Sequence, residues 1–517
     1  MEHVNKFFIL IIISVISLTG YSQNDTDITD NPVFVFNNAF NKRDLSYDQI
    51  AKLLDELGYD GIEHREVEGI FKLKEELNRH GLKIYADYAR VDLDKEPAWL
   101  AEWNDAFPKL SGTELILWVH IHSEKYGPSD PEAAKEVVPV LQELADMAKP
   151  HGIRIAIYHH IRYVAEKPMD SYNLAKLVDR DNVGAVFNLC HFLRTGDEQD
   201  LPGIIEKIAP ELFAVSISGA DKGNTREMGW DRLIQPLGEG SFDVYKVVSL
   251  LWDNGYKGPV GFQCYTIEGE PEEFLKKSMN TWKHYQSLYK QGINKLTEEE
   301  KEQGWRMLFD GFSTKGWRGI NKDSFPETGW EIKNGEIRVT ASGGAESAHG
   351  GDIVTKDQYG DFELKWQWKM LTKGGNSGVK YFVKEGKGEN EKYGYGLEYQ
   401  LLDDENHPWM LEGKMKPNDK HTLGAAYGLF APSPDKNPKP TGEWNHSRIV
   451  AKGNHVEHWL NGEKILEYER GSKRFMDNLE KSKFKDMKNY GQANEGHILL
   501  QDHGNKVRFR DLKIRKL

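Results

Sequence analysis

From Pro32 to about Lys290 the chain alternates short β-branched or aromatic runs with amphipathic stretches whose apolar residues return every three or four positions. This pattern predicts strands separated by helices, the βαβ rhythm of a parallel sheet. Eight apolar runs are legible: Val33 to Phe40, Gly61 to His64, Lys83 to Val91, Glu114 to His122, Ile153 to His160, Val183 to Cys190, Leu212 to Ser218 and Pro259 to Tyr265. Helices are expected over Tyr47 to Leu57, Pro131 to Lys149 and Phe242 to Asn254, followed by Gly58, Gly152 and Gly255, the residue type that helix C-termini favour. Eight strands in this length fit a (β/α)8 TIM barrel, which needs about 250 residues. An open doubly wound sheet would carry the same rhythm.

The period then changes. Gln291 to Gly304 is polar and charge-rich, with Glu298, Glu299 and Glu300 in a row, and reads as a linker or solvated helix. Beyond it, Gly335 to Thr340, Phe362 to Met370, Gly378 to Val383, Gly396 to Leu402, Ser447 to Ala451, His455 to Leu460 and His497 to Gln501 are short, aromatic and alternating, separated by Gly, Asn and Pro turns. A jelly-roll β-sandwich is expected there. The organisation read from the pattern is a leader at 1–22, a barrel at 32–290, a linker at 291–304 and a sandwich at 305–517.

Composition narrows the function. The 517 residues carry 68 Lys and Arg against 81 Asp and Glu, a net charge of −13, which disfavours electrostatic binding to nucleic acid. With 38% hydrophobic residues and 14 Trp, the chain can build large cores. Only Cys190 and Cys264 are present, so neither a disulfide framework nor a cysteine-rich metal site can form. Lys6, the apolar stretch Phe7 to Leu18 and the small residues around Gly20-Tyr21-Ser22 have the form of a signal peptide cut near Ser22. Its apolar stretch falls well short of the roughly 20 residues that span a bilayer. No membrane span is expected in the mature chain, and the expected location is periplasmic or secreted.

Chemistry in a barrel of this class sits at the C-terminal ends of the strands. There the sequence places Glu63-His64-Arg65, His120-Ile121-His122, Tyr158-His159-His160, Asn188-Leu189-Cys190-His191, Ser216 and Ser218, and Gln263-Cys264-Tyr265. Strand alternation points Asn188 and Gln263 into the mouth and Cys264 away from it, so the two cysteines are not expected to pair.

Three segments carry a resemblance: Phe187-Asn188-Leu189-Cys190-His191, the run from Trp230 to Gly240, and Gly258-Pro259-Val260-Gly261-Phe262-Gln263. They resemble the xylose-isomerase-like barrels known as sugar phosphate isomerases or epimerases. The resemblance implies a divalent cation held by Glu, Asp, His and Glu after strands five to eight, and proton abstraction beside a sugar carbonyl. Here the matching positions are Tyr158, Asn188, Ser216 and Gln263, none of them a carboxylate or an imidazole, so a hard cation would gain no charge compensation. Two readings stay open. Either His122 (or His120), His160 and His191, with Glu63, form an imidazole-rich metal site, or the pocket works without metal. In the second reading, which is preferred, Glu63, Asn188 and Gln263 bind substrate while His160 and His191 move the proton.

In Gly396 to Asp404, alternation puts Glu398 and Gln400 on one face and Tyr399 and Leu401 on the other. Leu500-Gln501-Asp502-His503-Gly504 ends a strand with an amide, a carboxylate and an imidazole, while Gly442-Glu443-Trp444-Asn445 and His458-Trp459-Leu460-Asn461-Gly462 add rings and hydrogen-bonding groups. Flat rings with fixed amide and carboxylate partners suit a carbohydrate groove. These motifs, with Gly375-Asn376-Ser377-Gly378-Val379, resemble the 3-keto-disaccharide hydrolase domain, similar in fold to concanavalin-like glycosidases.

That resemblance implies a 3-keto-glycoside substrate. A ketone at C3 acidifies the C2 hydrogen, and its removal lets the C1 oxygen leave; water addition would complete a net hydrolysis. The candidates here are Glu398 and His503 for proton transfer, Asp502 as orienting group or acid, and Gln400, Gln501, Trp444, Asn445 and His458 as sugar contacts. Two further readings are a metal-dependent isomerase or epimerase with a carbohydrate-binding sandwich, and a glycan-binding protein without turnover.

Overall fold

A computed structural model describes residues 27–41, 43–343, 349–386 and 394–517. The leader expected at 1–22 lies outside the described residues. Eight parallel strands close into a barrel in chain order: β1 (Val33–Val35), β2 (Gly61–His64), β3 (Lys83–Asp92), β4 (Ile116–His122), β5 (Arg154–Tyr158), β6 (Val183–Asn188), β7 (Leu212–Ile217) and β8 (Val260–Phe262). The open-sheet alternative is therefore excluded. Apolar residues on the outer faces of the strands pack against the helices, as in the helix Tyr47–Leu57, where Ile50, Ala51 and Leu54 are buried. A Ser46 capping box starts that helix and Gly58, at φ +80°, ends it.

The barrel interior is filled by rings. Phe34 and Trp118 meet edge to face at 5.8 Å, and Trp118 stacks on Tyr158 at 5.3 Å. Room for this stack comes partly from Gly261, where a Cβ would lie 2.6 Å from the Phe34 ring. Tyr158 thus tops a packed column, with its hydroxyl at the mouth.

Several strands stop earlier than the apolar runs predict, β5 at Tyr158 and β7 at Ile217 among them. The run after β1 becomes a 3-10 turn, Asn37–Phe40. β6 ends at Asn188 and β8 at Phe262, because side-chain oxygens there take over the backbone donors that a strand would pair: Asn188 Oδ1 accepts from His191 N, and Gln263 Oε1 from Cys264 N and Tyr265 N. Cys190 and His191 consequently sit in the first turn of the helix Leu189–Thr195 rather than on a strand. Both cysteines are buried and free.

The C-terminal strands are β9 (Arg306–Met307), β10 (Trp317–Gly319), β11 (Trp330–Lys333), β12 (Glu336–Val339), β13 (Ile353–Thr355), β14 (Phe362–Met370) and β15 (Asn376–Glu385). They continue as β16 (Gly394–Leu402), β17 (Asn445–Lys452), β18 (His455–Leu460), β19 (Glu463–Glu469), β20 (His497–Leu500) and β21 (Val507–Lys516). One antiparallel sheet runs β10-β13-β20-β15-β16 and the other β11-β12-β21-β14-β17-β18-β19, with β9 paired to β21. Between them lies an aromatic core that includes Trp366, Tyr381, Tyr399 and Tyr468.

The connecting segment is attached at several points. Thr297 caps the short helix Glu298–Glu302, Glu300 pairs with Lys513 at 3.0 Å, and Asn294 bonds both Gly335 O and Asp511 N. The β11–β12 turn also reaches the barrel, where Lys333 Nζ donates to Gly240 O and Asn334 N to Asp243 Oδ2. Among the described residues no helix is long and apolar enough to cross a membrane.

Candidate active sites

At the C-terminal mouth of the barrel lies a cavity of about 310 Å³ whose walls include Glu63, Arg65, Tyr88, Tyr158, His160, His191, Trp230 and Gln263. Tyr158 lies on its floor and the fully buried Asn188 stands behind it: Asn188 Nδ2 donates to the Tyr158 hydroxyl, while Oδ1 accepts from the Cys190 thiol at 3.0 Å and from His191 N at 3.2 Å. Gln263 Oε1 accepts from Asn38 Nδ2, Cys264 N and Tyr265 N at 2.6, 2.9 and 3.0 Å, and the same side chain meets the Tyr158 hydroxyl. Ser216 lies beside Asn188 in register, its Oγ buried without a partner.

Burial governs the titrating groups here. Desolvation pushes Glu63 up to about 8, against the Asn37 N–H that its Oε2 accepts. Asp87, which pairs with His64 at 2.9 Å behind the mouth, rises to about 6 for the same reason. His159 is scaffold: its Nε2 accepts from Asn188 N, its Nδ1 faces Glu166 O, and burial lowers it to about 3. His160 and His191 are likewise held neutral by burial, with ring centroids 4.0 Å apart. His160 Nδ1 donates to Ile161 O, leaving Nε2 with the lone pair, and His191 Nδ1 is buried without a partner.

The expected imidazole-rich metal set is not assembled. His122 Nε2 is bonded to His120 Nδ1 at 2.9 Å and its ring packs on Tyr163 at 3.9 Å, outside the cavity wall that His160 and His191 form. Among the described residues three ligand atoms converge only at His455, Glu457 and Glu467, on the outer sheet of the sandwich. Nor do Tyr158, Asn188, Ser216 and Gln263 fit a hard cation, because both amide oxygens are turned to protein donors.

The sandwich holds a second cavity, about 330 Å³, on the face of the β15 and β16 sheet away from the core. Glu398, Gln400, Gln501 and His503 all line it. Tyr399 and Leu401 point the other way into the core, as strand alternation requires. Gly378 makes room for the carboxylate: a Cβ there would lie 2.5 Å from Glu398 Oε1. Gln400 Nε2 donates to Asn376 Oδ1 at 2.9 Å, and Gln501 is anchored by its backbone to Gly378 O. Lys380 faces Glu398 across the strand pair and lies 3.8 Å from the buried carboxylate of Asp352. Tyr395, Tyr427, Phe484 and Tyr490 supply the rings.

Four residues expected at this groove lie elsewhere. Asp502 is fully buried, with Oδ2 accepting from Gly350 N and Gly351 N and Oδ1 from Gly504 N, so it fastens a turn behind the cavity. His458 stands between the sheets, bonded to Gly424 O and the Tyr381 hydroxyl, and burial lowers it to about 4. Asn445 closes a turn with Lys439 and Asn461. Trp444 packs under the Arg510 guanidinium at 3.9 Å and near Lys369, beside the opposite sheet.

Comparison with known proteins follows these two units. Residues 304–515 match the 3-keto-alpha-glucoside-1,2-lyase-like domain, and residues 51–285 the xylose isomerase-like TIM barrel. A curated relative from Bacteroides thetaiotaomicron, named 3-keto-disaccharide hydrolase, is 36% identical over 234 residues, 41% of this chain and 79% of its own length. This chain belongs to the 3-keto-disaccharide hydrolase family. An inosose isomerase from Bacillus velezensis is 25% identical over 278 residues, 49% of this chain and 97% of its own length. A crystal structure of the IolI protein with a binding zinc atom is 20% identical with a TM-score of 0.43, covering 50% of this chain and 99% of that one.

Within the 3-keto-disaccharide hydrolase domain, Tyr395, Tyr427 and Tyr490 line the groove without a sequence signal that singles them out, Asn376 does so from a motif that assigns it no role, and Lys380 from just beyond that motif. One signal was available: Lys380 shares the strand face of Gly378, so its position two residues beyond the Gly375-Asn376-Ser377-Gly378 motif aims it into the groove.

Proposed function

We propose that the sandwich cavity cleaves glycosides already oxidised at C3. The observation that carries this reading is the cross-strand pair of Glu398 and Lys380 in a cavity whose described lining holds no second carboxylate. Hydrolysis through an oxocarbenium ion uses two carboxyl groups flanking the bond. Elimination needs instead a base for the C2 hydrogen, a positive charge near the C3 oxygen and an acid for the leaving C1 oxygen. Glu398 takes the C2 proton, Lys380 balances the negative charge growing on O3, and His503 protonates the departing oxygen. Gln400 and Gln501 hold sugar hydroxyls, and the cavity tyrosines face the ring. Water added to the 2-hydroxy-3-keto-glycal gives net hydrolysis. The likeness to a protein named 3-keto-disaccharide hydrolase supports the same substrate class.

The leader pattern at 1–22 supports export, so the enzyme would meet its glycosides outside the cytoplasm; an N-terminal sequence of the secreted protein starting near Ser22 tests this. Aglycone release from a chemically prepared 3-keto-glucoside, but not from the parent glucoside, tests the activity. Loss of release in Glu398→Gln with retention in His191→Ala assigns cleavage to the sandwich; the reverse pattern refutes that assignment.

The likeness to inosose isomerase over half the chain favours a second reading, isomerisation of a keto sugar or keto-cyclitol in the barrel. Conversion of an inosose by the full chain would support it, and inertness toward such ketones would dismiss it.

A further inference from the structure

We propose that the barrel mouth binds an uncharged ring sugar directly on Tyr158 and Gln263, backed by Asn188, in the place where barrels of this fold hold a cation. The proposal stands apart from the reading of the sandwich. Its basis is which atoms are already used. Gln263 Oε1 accepts three donors, two of them backbone N–H groups, so a metal ion could claim it only by breaking the turn after β8. Asn188 Oδ1 serves as the N-cap of the helix Leu189–Thr195 and also accepts the Cys190 thiol. With both oxygens committed, the amide nitrogens meet the Tyr158 hydroxyl oxygen, which leaves the phenol O–H to donate to a sugar oxygen, and a site faced by N–H and O–H donors repels a cation.

One buried polar atom without a partner on the cavity wall, His191 Nδ1, remains for a ligand to satisfy. Charge argues the same way. Among the described lining residues Arg65 is the one permanent cation, and it lies over the Tyr88 ring at 5.4 Å, so the wall offers a phosphate a single guanidinium rather than a cluster. The volume, about 310 Å³, and the exposed faces of Trp230 and Tyr265 suit one sugar ring.

The test uses the full chain carrying Glu398→Ala, Gln400→Ala and Gln501→Ala, which removes the base and both amide contacts of the sandwich, and a further Lys380→Ala, His503→Ala chain as a check that the heat comes from the barrel. Titration calorimetry with 3-keto-glucose is run before and after dialysis against EDTA, with bound metals counted by plasma mass spectrometry. The expected result is one affinity in both samples, no stoichiometric divalent ion, and no competition from glucose 6-phosphate. His191→Ala should weaken binding about tenfold, the scale of one hydrogen bond to a buried partner. Asn188→Asp with Gln263→Glu, which keeps an N-cap, should lose sugar binding and gain affinity for Mn2+. A stoichiometric ion whose removal abolishes binding, tighter binding of the phosphate, or unchanged binding in both barrel variants would each overturn the proposal. Aglycone release by the unmodified chain is read separately, so failure here leaves the sandwich reading intact.

Discussion

Gly378 and Glu398 are opposed so closely across β15 and β16 that a methyl group on the first would sit 2.5 Å from a carboxylate oxygen of the second. Gly378→Ala must therefore push Glu398 out of place. A misplaced base costs far more in rate than in stability. The expected outcome is a fall in aglycone release on the order of 10²-fold, with unfolding free energy lowered by only about 1–3 kcal/mol from overpacking. Equal rates in variant and parent would show that the carboxylate position does not matter.

Lys380 is expected to act on the transition state. Lys380→Met should lower kcat for a 3-keto-glucoside on the order of 10²-fold while leaving KM within about threefold, the pattern of a lost charge-stabilising donor. Lys380→Arg should restore part of the rate. A change confined to KM would make Lys380 a binding residue only.

Asp502 lies in the same sequence motif as His503 but fastens backbone. Asp502→Asn presents N–H groups to a turn that needs an acceptor, and the expected loss is about 2 kcal/mol or more of stability. The pH dependence of kcat in the folded fraction should not move. A displaced pH profile would return Asp502 to the chemistry.

Acid should destabilise the sandwich through His458. Its folded pKa of about 4 lies below the ordinary 6.5, so the unfolded chain binds the extra proton between these values. Stability is then intact above pH 6.5 and falls as the pH drops toward 4, by roughly 3 kcal/mol for this group. Thermal unfolding measured from pH 7 to 4.5 should show the decline, with a shallower slope in a His458→Phe variant. A slope unchanged by that substitution would assign the acid sensitivity elsewhere.

Trp444→Ala should leave KM for a 3-keto-glucoside unchanged, since the ring lies under Arg510 near the opposite sheet. A several-fold rise in KM would contradict that placement.

Much of the fold was legible because period reports burial. The eight barrel strands and the alternation through Glu398, Tyr399 and Gln400 follow from side chains pointing to opposite faces of a strand. Strand ends were misjudged where side-chain amides such as Asn188 and Gln263 capture backbone donors, a competition that leaves no periodic trace. Several sandwich strands were missed. β21 is one, because Arg508, Arg510 and Lys513 make it look solvated although its apolar partners are core. Motif residues are the least legible part of the site. His458, Asn445 and Trp444 have the composition of a sugar site, yet their partners are protein groups that lie outside each residue's own motif. Lys380 shows the converse: a lysine in a strand reads as solvent-facing until the register sets it opposite Glu398.

Asn188 at once backs the barrel mouth through Tyr158 and starts a helix. Rotating its side chain would unwind the first turn carrying Cys190 and His191. That side of the cavity therefore behaves as a rigid template. On the sugar-binding proposal, a guest would be accepted by matching a preset spacing of donors, with ring shape and hydroxyl stereochemistry tested before any loop has to move.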